Sequence, residues 1–193
     1  GLAWERLQAR AFIKHPYHWK TIGWMRDLNA VTVKEANDYH GVFYSPNNAY
    51  VIVSGDHDPE KTLSWLKMYY GHLPSREVPS EAFPEEPRQE RTRRDRVFKS
   101  TDPQVAMWGY RAMAPRSDDF AVLEVIDRVL TDGKSSRLQK ELVFASEPKL
   151  SRLYAYLMPI RHPYLYVWGA TLQPGMTVHA LESRVDAAVE TLI

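Results

Sequence analysis

The chain has 193 residues, of which 44% are hydrophobic and 25% charged, so it has enough apolar material to bury a core of one or two domains. Its formal charge of +1 supplies no whole-molecule field to attract nucleic acid or an anionic membrane. The absence of cysteine excludes disulfides, thiolate metal sites and a cysteine nucleophile, and it leaves the compartment open between periplasm and cytoplasm.

The chain opens Gly1-Leu2-Ala3 in an Arg/Gln/Ala-rich helical pattern and closes in a second one. There Val178, Leu181, Val185, Val189 and Leu192 keep the three-and-four spacing of one buried stripe, with no Gly, Asn or Pro to end it. The expectation is a piece of a longer protein. Between these ends, Thr32-Val33-Lys34-Glu35 is a capping box, in which the Thr hydroxyl and the Glu carboxylate each serve an orphan N–H. It predicts a helix whose inner stripe is Val33, Ala36, Tyr39 or His40, and Phe43. Ser45-Pro46-Asn47-Asn48 ends it. Ala49 to Ser54 is a short, β-branched apolar run, expected as a strand buried on both faces. Asp58 with Pro59 then begins a helix carrying Leu63, Leu66 and Tyr70, with Trp65, Met68 and Tyr69 beside them.

From Leu73 to Gln89 periodicity disappears among Pro74, Pro79, Pro84 and Pro87, as in a semi-extended linker. Arg91 to Lys99 and Gln104 to Arg111 read as strands. Ser117 is expected to cap a helix with a wide apolar face from Val122 to Leu130, closed by Asp132-Gly133. A short helix from Ser135 or Ser136 to Leu142, strands over 150–157 and 164–172, and the final helix complete the pattern. The predicted class is α+β: two partial α/β sandwich units with mostly antiparallel sheets and helices on one face. Residues 1–73 form the end of the first unit, 74–90 the linker, and 91–193 most of the second. Strand–turn–helix recurs at Tyr50 to Tyr70 and at Tyr166 to Ile193 with little shared sequence.

The seven histidines are His15, His18, His40, His57, His72, His162 and His179. No pair has the H-x-x-E-H or H-x-x-x-H spacing that puts two imidazoles on one helix face for zinc. His15 and His18 are three apart, but Pro16 intervenes, and a turn is the simpler reading. In Asp56-His57-Asp58, the second Asp is explained as a helix cap. Gly133-Lys134-Ser135 resembles the end of a phosphate-binding loop, but Arg128 stands where its first glycine belongs. There is no G-x-S-x-G elbow. Arg88, Arg91, Arg93, Arg94 and Arg96 cluster near Phe98, yet Glu90 and Asp95 interleave with them, which favours a charged edge segment over a nucleic-acid surface. Tyr164, Tyr166 and Trp168 share one strand face by alternation. Packing is the default for them, and a peptide-binding wall the alternative. No stretch approaches the roughly 20 apolar residues of a membrane span.

Several stretches, in order, resemble the pitrilysin/insulinase family of zinc metallopeptidases, which includes the mitochondrial processing peptidase. They are His15-Pro16-Tyr17 with Gly23 following, Val31 to Glu35, Tyr44 to Asn48, the apolar run with Gly55 to Glu60, and Ser135-Ser136-Arg137-Leu138 with Lys140-Glu141-Leu142. The resemblance implies homologous α+β units, paired in halves around a peptide chamber, with zinc held by an H-x-x-E-H and a downstream Glu that both lie upstream of this region. What it matches is the non-catalytic domain. No catalytic residue or metal ligand is carried over, and no cofactor is expected in this chain, with zinc belonging to the parent protein. Some members carry an Arg after Glu-Leu and a nearby Tyr for substrate binding. Here Val143 follows Leu142, and no substrate-binding residue is assigned. The expected partners are the rest of the parent, including its zinc-bearing unit, and a peptide substrate. Nucleic acid is not among them, and self-association through uncovered apolar faces is expected. The resemblance leaves two parents open: an active bacterial-type peptidase, or a catalytically dead relative serving as scaffold.

Overall fold

A computed structural model describes residues 1–80, 82–100 and 103–192. Glu81 of the expected linker and Ile193 at the end of the expected last helix lie outside the described residues. The chain divides into two compact units. One contains residues 1–20 and 85–193, the other residues 21–84. The first helix thus belongs with the second block of sequence, a different cut from the one at residues 73 and 91.

The larger unit is organised by a three-stranded antiparallel sheet in the order β1-β3-β2. β1 is Val105–Arg111, β2 Leu150–Leu157 and β3 Leu165–Leu172. β3 pairs on both edges, with Trp108 opposite Trp168 on one side and Ala155 opposite Trp168 on the other. Every residue of β3 except Gly169 and Thr171 lies in one of the two apolar clusters. Tyr166, Trp168, Ala170 and Leu172 face one cluster; Leu165 and Val167 face the other. The alternation of side chains along a strand makes this division, and its continuous apolar run is what a strand covered on both faces requires.

The first cluster is completed by Leu130 of α5 (Asp119–Leu130), Leu138 just before and Leu142 within a π-helical turn (Gln139–Val143), and Leu181 and Val185 of α6 (Val178–Glu190). The second is completed by Ala11 of α1 (Leu2–Ala11) and by Phe12, with Trp4 and Leu7 packed against it. The α+β class and antiparallel sheet are as expected, with α1 on the second face. In α5 only part of the expected apolar face turns inward: Leu123, Ile126 and Leu130 pack, whereas Val122 and Val125 are exposed. The helix begins after Asp118, one residue beyond the expected Ser117, and without a side-chain cap. Inside the first cluster, the Tyr166 hydroxyl donates to Asp127 Oδ1 at 2.7 Å, and the Thr131 hydroxyl donates to the same oxygen. Gln139 Nε2 donates to the carbonyls of Thr131 and Leu153. These bonds satisfy polar groups that would otherwise be costly to bury.

The smaller unit contains α2 (Met25–Ala30), α3 (Val33–Phe43) and α4 (Pro59–Tyr70). The expected caps are present. Thr32 Oγ1 accepts from Glu35 N while Glu35 accepts from Thr32 N, and Asp58 Oδ1 accepts from Glu60 N and Lys61 N. The expected strand is not. Residues 49–54 join no sheet, and Tyr50 is 98% and Ile52 90% exposed. The inner stripe expected for α3 is open too, at Val33 and Tyr39. Among the described residues 21–84 only Ser45 is buried, so local signals form these helices without a core beneath them. Residues 91–99 likewise form no ladder and act instead as a strap: Arg93 donates to the carbonyls of Arg10 and Ala11, Arg94 pairs with Glu182, and Asp95 accepts from Arg10.

β3 carries a further constraint at Gly169. A Cβ built there would lie 2.2 Å from Cζ of Tyr154 on the neighbouring strand. Gly169→Ala is expected to destabilise the chain by about 1–3 kcal/mol, read as a lower urea midpoint. Adding Tyr154→Ser should recover most of the loss, and an unchanged midpoint in the single variant would refute the steric account. Trp168→Ala, at the centre of the sheet, should cost roughly 3–5 kcal/mol in the same measurement.

Candidate functional site

The residues singled out for chemistry are placed mostly as structure. Asp58 caps α4, and the His57 ring is 3.0 Å from the Gly55 carbonyl. His40 stacks on Tyr44. Gly133 adopts a positive φ of 80°, and its carbonyl accepts from the Ser136 hydroxyl, which makes the stretch a helix-ending turn. The arginines near residue 93 cap α1 and pair with acids. Tyr164, Tyr166 and Trp168 do not share a face. Tyr166 and Trp168 are buried in the first cluster, but Tyr164, which precedes β3, is buried in the second. The alternation that joined them applies only within the strand. Among the described residues no three His, Cys, Asp or Glu side chains converge on a point where a metal ion could sit. In the smaller unit an open groove of about 750 Å³ lies along α2 and α3, lined by Val31, Tyr39 and Tyr44 among others.

The densest polar and aromatic constellation surrounds the turn after α1. Helix α1 ends at Ala11, and Phe12 enters the second cluster fully buried. The next three backbone N–H groups, of Ile13, Lys14 and His15, all donate to the Glu86 carboxylate at 2.8 Å. Consecutive amides converging on one anion form a small concave binding site, here filled by a side chain of the same protein. Arg111 stands at 3.4 Å from Glu86 Oε1, donates to the Ala11 carbonyl at 2.9 Å and lies over the Phe12 ring at 4.4 Å. Arg93 reaches the same end of the helix, so two cations meet the carbonyls and negative dipole end of α1. Burial raises the Glu86 pKa, but the three amides and Arg111 outweigh it and hold the carboxyl below its ordinary value.

His15 caps the short 3₁₀ turn Pro16–His18, its Nδ1 accepting from Tyr17 N at 3.2 Å. His18 Nδ1 lies 2.7 Å from the Phe12 carbonyl. The His15 ring sits 4.3 Å from that of Tyr17 and 5.3 Å from that of His162, and Tyr17 meets Tyr164 edge-on. Tyr17 Oη accepts from His162 N at 3.3 Å. Thus the turn predicted from His15, Pro16 and His18 is present. Its partners Glu86, Arg111 and His162, between 71 and 147 residues away, carry no sequence signal that joins them to it. The arrangement positions backbone; it presents no nucleophile with an adjacent base.

Three comparisons bear on this geometry. Residues 30–193 match the family described as Peptidase M16 inactive domain. Over its whole length the chain is 30% identical to zinc protease PqqE of Helicobacter pylori, of which it spans 44%. The crystal structure of a protease from Helicobacter pylori superposes with a TM-score of 0.83 at 30% identity, over all of this chain and 47% of that one. A peptidase M16 inactive domain from Pseudomonas fluorescens has a TM-score of 0.77 over 99% of this chain and 46% of its own, and at 16% identity it shows the shared fold alone. The match over most of the sequence, with the fold to accompany it, establishes that this chain belongs to the peptidase M16 inactive-domain family, within the zinc metallopeptidases.

Proposed function

We propose that this chain is the non-catalytic part of a zinc-dependent metalloendopeptidase, forming part of the wall of a peptide chamber and holding in place a zinc-bearing unit encoded upstream. The observation that carries the reading is the match of residues 30–193 to an inactive domain, in a chain spanning less than half of the zinc protease it resembles. In the parent, zinc would activate water for peptide hydrolysis. The sequence here contains no H-x-x-E-H, so the contribution of these residues is shape and support. The proposed homologous units run over 1–73 and 91–193, joined by 74–90.

The smaller unit supports a role in packing against the rest of the parent. Residues 49–54 carry exposed apolar side chains and join no sheet. Val33 and Tyr39 on α3, and Leu63, Trp65 and Met68 on α4, leave further apolar surface open. Surface of this kind tends to become buried in a larger assembly.

Two measurements test the reading. The isolated chain, incubated with zinc and then dialysed, is expected to hold no stoichiometric metal and to cleave no peptide; retention of one zinc per chain, or chelator-sensitive cleavage, overturns it. By light scattering, the isolated chain should self-associate as its concentration rises, and Ile52→Asp should reduce that association. A strict monomer at high concentration contradicts the uncovered-surface account.

A further inference from the structure

The turn after α1 is built around an imidazole that must be neutral. His15 is 8% exposed. Its Nδ1 accepts from Tyr17 N, and only an unprotonated nitrogen can accept, so the resident form carries its proton on Nε2. A proton added to His15 goes onto Nδ1, where it opposes the Tyr17 N–H and removes the cap of the Pro16–His18 turn. The surroundings give the cation little help. Among the described residues the ring faces His162 from the loop between β2 and β3, Arg111 from β1, Glu86 from the linker and Tyr17 from its own turn, with Tyr164 beyond. Burial disfavours the charge most, His162 next and Arg111 last; Glu86 favours it, but its carboxylate is already engaged by three amides and Arg111. The balance lowers the His15 pKa from its ordinary 6.5.

We propose that this turn is an acid-sensitive clasp: protonation of His15 at Nδ1 opens residues 13–18 and loosens the hold of their amides on Glu86, and so the attachment of the linker to the end of α1. The sign follows from the neutral cap. An unfolded or opened turn takes up a proton below about pH 6.5, and the closed turn does so only at lower pH, so closure is complete above that value and is lost as pH falls beneath it. Glu86, held below the usual carboxyl range, stays ionised in this window and does not supply the transition.

Hydrogen exchange of the full chain, corrected for the intrinsic pH dependence of exchange, tests the clasp. Protection of the amides of Ile13, Lys14, His15 and Tyr17 is expected to fall severalfold between pH 7.5 and pH 5.5, because the closed turn resists the proton that the open turn accepts. His15→Asn keeps an acceptor for the Tyr17 N–H but cannot titrate, and its protection should be the same at both values. Glu86→Gln should lower protection at both and keep the step. Equal protection of the wild-type chain at the two pH values overturns the proposal. So does a step that persists in His15→Asn or vanishes in Glu86→Gln. Should His15→Asn fail to fold, NMR titration of the wild-type imidazole decides: a midpoint below 6.5 supports the clasp, and one at or above 6.5 overturns it.

Discussion

The double-sided burial of β3 is the constraint on which the larger unit depends. A strand paired on both edges has no backbone group to spare, and one covered on both faces can carry no charge on either. β3 meets both conditions from Leu165 to Ala170, so β1 and β2 must supply its edges, and separate helical layers must supply its two faces. The helices come from opposite ends of the chain. α1 covers the face of Leu165 and Val167, whereas α5, the π-helical turn and α6 cover the face of Tyr166 and Trp168. This is why residues 1–20 join residues 85–193 in one compact body despite the long segment between them.

Once α1 is seated, its end has to be finished, and the Glu86 node does so. A helix C-terminus presents carbonyls without donors, and the turn that follows presents amides without acceptors. Arg93 and Arg111 answer the first need, and the Glu86 carboxylate answers the second. Arg111 belongs to β1, so the strand that pairs with β3 also fixes the helix above it. Glu86, Arg93, Arg94 and Asp95 therefore serve as crosslinks between chain segments, a structural use for charges of both signs in this stretch.

The two units differ in what holds them. In the larger, cores on both sides of a sheet fix the elements. In the smaller, the capping box at Thr32, the Asp58 cap and the amide–carbonyl pair between Asn47 and Arg76 organise the chain locally, while its apolar side chains stay open.

Much of this was written in local signals. Thr32 with Glu35, Asp58 with Pro59 and Gly133 at a positive φ all act over a few residues, and each appears where its pattern placed it; of the stripe of α6, Leu181 and Val185 are buried and Val178 and Leu192 pack against them, but Val189 is exposed. The ordered family motifs were legible for the same reason, as was the α+β class. Tertiary structure alone decided which apolar residues found a partner. The run at 49–54 and the core of β3 look alike in sequence, yet one is exposed and the other buried, because burial of a strand depends on edges and faces supplied from elsewhere. It alone also brought Glu86, Arg111 and His162 to the turn at His15, since a carboxylate's choice among distant amides is made by the path of the folded chain and leaves no trace in spacing.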